Sequence, residues 1–266
     1  MKNLILSLGL CCLILNGTRA SAQPVADAPT YKQSGFSAAL RLGRDLYNAL
    51  KPQYRDKVHV QPVSLETDVM PFVHTVEYPD EVKPMRMVFI SAGFFDLINN
   101  VAHAKAIDKL QKGYFEKYVS SLAQETGEKS LKDLPNVSDK RFWTEDMMNE
   151  QLSNFNQMTG MLLAIELSHH YLGHFKKYES KLNDPFGKAV PINNFLTEKE
   201  WDESLEAGID NALDCGFGID GVKALYESID KMPKRPAWAV YFLPENSKYA
   251  KIKKVLEKKE KVFFGK

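Results

Sequence analysis

The chain is poor in cysteine, in histidine and in net charge: 3 of its 266 residues are Cys, 6 are His, and 35 basic side chains face 34 acidic ones. Cys11 and Cys12 lie in a short apolar run near the start, which leaves Cys215 alone in the rest of the chain and excludes a disulfide framework. Near-neutrality excludes a nucleic-acid binder held by its overall field. Long apolar stretches are missing too. The run at 4–15 is short of the ~20 residues needed to cross a bilayer, and no later segment is more apolar, so no membrane span is expected in the mature chain. What remains is 44% hydrophobic and 26% charged, the composition of a globular chain with a core.

Lys2, the apolar run and then Ala20-Ser21-Ala22 before Gln23 form an export signal over residues 1–22, which predicts a periplasmic or secreted protein. Leu10 stands before Cys11 where a lipid-attachment site wants a small residue. Cleavage removes Lys2 and Arg19 and leaves the mature chain at −1. Residues 23–35, rich in Ala and Pro, read as a flexible lead-in. Residues 36–266 read as a single domain.

Apolar spacing predicts a helix over 36–50, ended by Pro52. Three stretches rich in β-branched residues, 58–63, 72–77 and 85–91, predict a small three-stranded sheet. The rest is helical in period over 94–110, 115–126, 145–178, 198–214, 222–229 and 248–259, with a surface loop at 128–138. The expected class is α+β, dominated by helices. Met and aromatic residues at 147–161 read as core, Cys215 as a small buried thiol, and the lysines from Lys251 to Lys261 as a solvated helix face.

Three of the six histidines fall within six residues, in Ile165-Glu166-Leu167-Ser168-His169-His170-Tyr171-Leu172-Gly173-His174. On a helix, residues four apart share a face, so H-E-x-x-H places two His on one zinc and sets the Glu to activate its water. Here Glu166 and His169 hold the general-base and second-ligand positions. Ile165 stands where the first His ligand belongs.

The surroundings resemble the zinc metallopeptidases that include the CAAX prenyl protease, the heat-shock protease HtpX, mitochondrial Oma and periplasmic BepA. Those carry H-E-x-x-H-x-x-x-x-H, whose last His is matched by His174. Upstream, Met87-Val88-Phe89-Ile90-Ser91-Ala92-Gly93-Phe94 resembles the family's edge strand and its turn into a helix, a strand that can pair with an extended substrate. Downstream, Glu206-Ala207-Gly208-Ile209-Asp210 resembles E-x-x-A-D, which implies Glu206 as third zinc ligand and Asp210 as its support. Phe242-Leu243-Pro244 and Tyr249 resemble the T-H-P-x-x-x-x-R segment, with Leu243 and Tyr249 replacing its His and Arg. The matches run in family order over nearly the whole mature chain, although the stretch between Asp108 and Gln157 is longer than the family's. The resemblance implies a mainly helical, zincin-like (gluzincin) fold with zinc as the cofactor.

A catalytic zinc needs three protein ligands and an open position, and His169 and Glu206 supply two. The missing ligand could come from a shifted pair, His170 and His174, which would put Tyr171 at the general-base position, or from His59, His74 or His103. Glu166 and His169 also have the E-x-x-H spacing of carboxylate-bridged metal sites, but no second E-x-x-H accompanies them. In the remaining reading the histidines are buried packing residues and Glu166 is hydrogen-bonded in a remnant of the cleft. Two functions follow: a pseudopeptidase that binds peptides or envelope proteins along the 87–91 strand, or an active zinc metalloendopeptidase with a rearranged ligand set.

Overall fold

The computed structural model describes residues 32–58, 63–66, 69–78, 85–125, 131–182, 191–244 and 247–265. The expected export signal at 1–22, residues 23–31 of the lead-in, and His59 lie outside them. Helix α1, Lys32–Ala49, begins four residues earlier than its spacing predicts and takes in the end of the lead-in. Its buried stripe is Ala39, Leu42 and Leu46, continued just past its end by Leu50. Pro52 both ends α1 and, with its fixed φ and missing N–H, opens the one-turn helix α2, Pro52–Arg55.

Strands β1 (Val63–Glu66), β2 (Val73–Tyr78) and β3 (Met85–Ser91) form one sheet in the order β1-β3-β2. Of the stretch 58–63 predicted as the first strand, residues 59–62 lie outside the described residues; Val63 is in β1, whereas Val58 closes the turn after α2, its N–H on the Arg55 carbonyl and its side chain in the core. β3 pairs with β1 in parallel and with β2 antiparallel. The strand expected at an edge is therefore the central one, and from Val88 to Ser91 both of its sides are already paired. Alternation gives β2 two faces. Val73 and Thr75 point inward, while Val76 points outward with Phe72 and Phe89 into a separate apolar cluster that Met87 and Tyr241 flank.

The chain is mostly helical. After β3 come α3 (Ala92–Asp108) and α4 (Tyr114–Leu122), and the hydroxyl of Ser91 caps α3 by accepting from the Phe94 N–H. The surface loop predicted at 128–138 is irregular and mostly solvent-accessible over its described part, 131–138, and it is anchored at a few points. Leu131 and Leu134 are core residues, and the Tyr114 and Tyr118 hydroxyls donate to the carbonyls of Pro135 and Lys132.

Helix α5, Glu145–Tyr171, packs against α1, α3 and β2, and also against α7 (Glu198–Asp214) and α8 (Asp220–Asp230). Every residue from Met158 to Tyr171 is buried, so this stretch has no solvent side and carries its few polar groups inside. The helix predicted over 145–178 is broken. Gly173 adopts φ +84°, a left-handed conformation that glycine enters without a Cβ penalty, and the Leu172 N–H closes on the Ser168 carbonyl. Helix α6, His174–Leu182, then leaves in a new direction and packs with Ile192 of the turn at 192–194. Helix α9, Tyr249–Phe263, lies against α7 and α8. One main cluster of buried side chains runs from Ala39 to Leu256.

Candidate functional site

Glu166 and His169 are 3% and 1% exposed, one turn apart on the fully buried half of α5. Two elements fix the Glu166 carboxylate. The Thr75 hydroxyl of β2 donates to Oε2 at 2.9 Å and lies 3.0 Å from the Glu166 carbonyl oxygen, and the Asn193 amide donates to Oε1 at 2.8 Å. Burial pushes this carboxyl up to about 7, although the Asn193 and Thr75 hydrogen bonds pull the other way. It therefore takes up and releases a proton near neutrality, the range a general acid or base requires.

The break at Gly173 brings His174 back over His169, and their Nδ1 atoms lie 2.9 Å apart. On one continuous helix, residues five apart would point in different directions. Ser204 of α7 completes the contact, its Oγ 3.1 Å from His169 Nδ1. Because the Ser204 hydroxyl donates to the Glu200 carbonyl at 2.8 Å, it must accept from His169, which assigns the proton to His169 Nδ1 and the lone pair to Nε2. Burial and the neighbouring His174 and His170 hold His169 well below its ordinary range, so it stays neutral. Its Nε2 has no hydrogen-bond partner and lies 3.9 Å from Glu166 Oε2.

Glu200 shows how the end of α7 is built. As the third residue of α7, closing a capping box with Thr197, it accepts from the Thr197 N–H and hydroxyl, and also from Tyr178 Oη at 2.7 Å and Lys177 Nζ at 2.6 Å. Burial alone would raise it, but these donors together hold it down at about 2. It is a structural carboxylate, its oxygens already committed.

The remaining predicted residues go elsewhere. Glu206 and Asp210 lie on the solvent side of α7, half exposed, where Lys259 of α9 meets them at 3.6 and 2.7 Å. The implied third-ligand role for Glu206 and support role for Asp210 meet this obstacle: two residues separate Glu206 from Ser204, about 200° of helix rotation, so a residue at 206 faces away from His169. His170 turns to Phe175, ring edge to face at 6.0 Å. Ile165, on the Glu166–His169 side of α5, packs on Gly208 so closely that a Cβ added there would sit 2.7 Å from the Ile165 Cα and N. Leu243 is fully buried.

None of the described candidates for the missing ligand is placed to serve. His74 alternates with Thr75 and so faces the other side of the sheet, stacked on Phe72, with burial lowering it to about 4. His103 lies 2.7 Å from the Phe142 carbonyl and packs on Trp143. The shifted pair fails as well, since Tyr171 stacks on Tyr54 and is pushed above its usual range by burial. Zinc fits poorly here: one imidazole lone pair and one carboxylate face each other, and among the described residues no group of three or more His, Cys, Asp or Glu could hold a metal ion.

Comparison of the chain with protein-family models, curated proteins and solved structures found no match. The likeness to metallopeptidases therefore rests on the sequence motifs alone. Sequence reading missed Thr75, Asn193, Ser204 and Glu200. Only Glu200 had a signal, standing three residues after Thr197 as a capping box does, with Ser204 four further on along the same face.

Proposed function

We propose that the chain is an exported, metallopeptidase-like protein that binds peptides or envelope proteins without hydrolysing them, a pseudopeptidase. The observation that carries this reading is the contact of Gly208 with the Ile165 backbone. A zinc peptidase needs an imidazole at position 165 and an open fourth position for water beside it. Here an alkyl side chain and a direct helix–helix contact take that space, while Glu166 is sealed by Asn193 and Thr75. The signal at 1–22 supports export, and no described helix is long and apolar enough to cross a membrane. With β3 enclosed, the sheet edge next to Glu166 is β2, which is where an extended peptide would add.

Metal analysis and casein cleavage test this reading. The purified chain is expected to hold no tightly bound zinc and to leave casein intact. One zinc per chain, lost in His169→Ala, with chelator-sensitive cleavage abolished by Glu166→Gln, overturns it. That outcome would establish the second reading, an active zinc metalloendopeptidase with a rearranged ligand set, whose one supporting feature is the unpartnered His169 Nε2.

A further inference from the structure

Helix α9 carries six lysines against two glutamates, in a chain whose overall charge is +1. Half of those lysines have work inside the fold: Lys251 binds Glu198 and Asp202, Lys259 binds Glu206 and Asp210, and Lys253 lies 3.8 Å from Glu257. The Lys251 and Lys259 pairs, with Ile252 and Leu256 buried beneath, hold α9 against α7, while the Lys253 pair lies within α9. Lys254, Lys258 and Lys261 are exposed, take no ion pair among the described residues, and share the outward side of α9 with Val262 by helical phase.

The last turn is the more unusual part. Val262, Phe263 and Phe264 are 72%, 45% and 57% exposed, and the two rings pack edge to face at 5.1 Å. The other large exposed apolar side chains, such as Leu40, Leu110, Leu152 and Val240, are far apart in sequence, as on any soluble surface. By helical phase Val262 continues the lysine side, while Phe263 continues the line of Ile252 and Leu256 beyond the covered part of α9, so three exposed apolar side chains in succession wrap the tip of the helix as a patch of the kind that marks an interaction surface.

We propose that the outward side and tip of α9 bind the surface of an anionic lipid bilayer. Phe263, Phe264 and Val262 would enter the boundary between headgroups and acyl chains, and Lys254, Lys258 and Lys261 would lie over the lipid phosphates. Charge complementarity selects this occupant, and the apolar tip separates it from an acidic protein, which would need the lysines but not two exposed rings. The contact is peripheral, since no described helix can span a bilayer.

Vesicle co-sedimentation of the mature chain, residues 23–266, tests the proposal without the basic and apolar segment at 1–22. Binding to phosphatidylcholine vesicles containing about 30% phosphatidylglycerol is expected to exceed binding to pure phosphatidylcholine by about tenfold, and to weaken as salt is raised. Two variants, Phe263→Ser/Phe264→Ser and Lys254→Glu/Lys258→Glu/Lys261→Glu, should each lose most of that excess while keeping the helical circular dichroism of the parent. In a third, Phe263→Trp, the indole emission should shift to the blue when anionic vesicles are added. The proposal is overturned by equal binding to both vesicle types, by binding that both multiple variants retain, or by an indole that stays in water. Displacement by polyglutamate, with the phenylalanine variant binding as well as the parent, also overturns it and assigns the lysines to an acidic protein.

Discussion

The two faces of α7 invite comparison, because one helix carries both the contact that closes the candidate site and the motif that resembled a metal ligand. The inward face presents Ser204 to His169 and Gly208 to Ile165, and its Glu200 is consumed by the cap. The outward face presents Asp202, Glu206 and Asp210 to the lysines of α9. Acidic residues are on the side where a lysine-rich helix packs, and small residues are on the side where a buried helix packs. A short pattern such as E-x-x-x-D fixes spacing but not phase, and phase decides which face reaches the zinc position.

The comparison is broken most severely by enlarging the inward face. Gly208→Leu would thrust a side chain into the Ile165 backbone, and because Cβ alone already meets Ile165 Cα and N at 2.7 Å, Gly208→Ala should be costly too. Losses of about 3 kcal/mol or more for Leu and 1–3 kcal/mol for Ala are expected in urea unfolding. An alanine variant as stable as the parent would show that α5 and α7 have slack, and with it space for a ligand.

Next in size is the pH response of Glu166. Its folded-state value of about 7 lies above the ordinary carboxyl range, so the folded form keeps a proton that the unfolded chain gives up. The associated stability is fully present below about pH 4, falls as pH rises through 7, and then levels off. Glu166→Gln removes this slope, since a Gln amide can donate to Thr75 Oγ1, whose own proton can go to the Glu166 carbonyl oxygen. The variant should exceed the parent by about 1–3 kcal/mol at pH 8 and by less as pH falls toward 7. The lowered His169 has the opposite sign, with stability lost as pH falls below the ordinary imidazole range, so the comparison is read above that range, where His169 is neutral in both chains. A difference independent of pH would mean that Glu166 is ionised and solvated when folded.

A smaller effect probes the hydrogen bond between the inward face and α5. Ser204→Ala leaves His174 Nδ1 as the only acceptor for the His169 Nδ1 proton, and a loss of about 1 kcal/mol is expected. Nitrogen NMR of the parent should find His169 as the Nδ1–H tautomer. The Nε2–H form would contradict the donor assignment made through Ser204 and Glu200.

These residues also mark how far the sequence could be read. The α7 span of 198–214 was legible because Thr197 and Glu200 form its cap and Cys215-Gly216 follow its end. Clustering made Glu166 and His169 legible as a buried polar pair. His174 was found, but for a different reason from the one that places it: the motif put it on the same helix, whereas Gly173 breaks that helix and folds it back. The strand order was not legible, since three short apolar stretches fit several orders and only tertiary pairing places β3 in the middle. Thr75 and Asn193 left no signal, because a single hydroxyl or amide contacting a residue far along the chain has no periodicity to reveal it.

The mildest substitutions fall on the outward face, and they test the comparison most directly because the motif reading gives them the largest role. Glu206→Ala breaks a 3.6 Å ion pair whose carboxylate is half exposed, and Asp210→Asn weakens one at 2.7 Å in similar surroundings. Water and salt screen both, so about 0.5 kcal/mol or less is expected from either, shrinking further at high salt. A third zinc ligand behaves differently, because removing it leaves a metal centre short of a donor and lowers metal affinity by orders of magnitude. Thermal unfolding of Glu206→Ala with and without added zinc therefore separates the two roles. Equal small shifts in both conditions place Glu206 with α9, whereas a zinc-dependent stabilisation present in the parent and absent in the variant would turn this face of α7 inward.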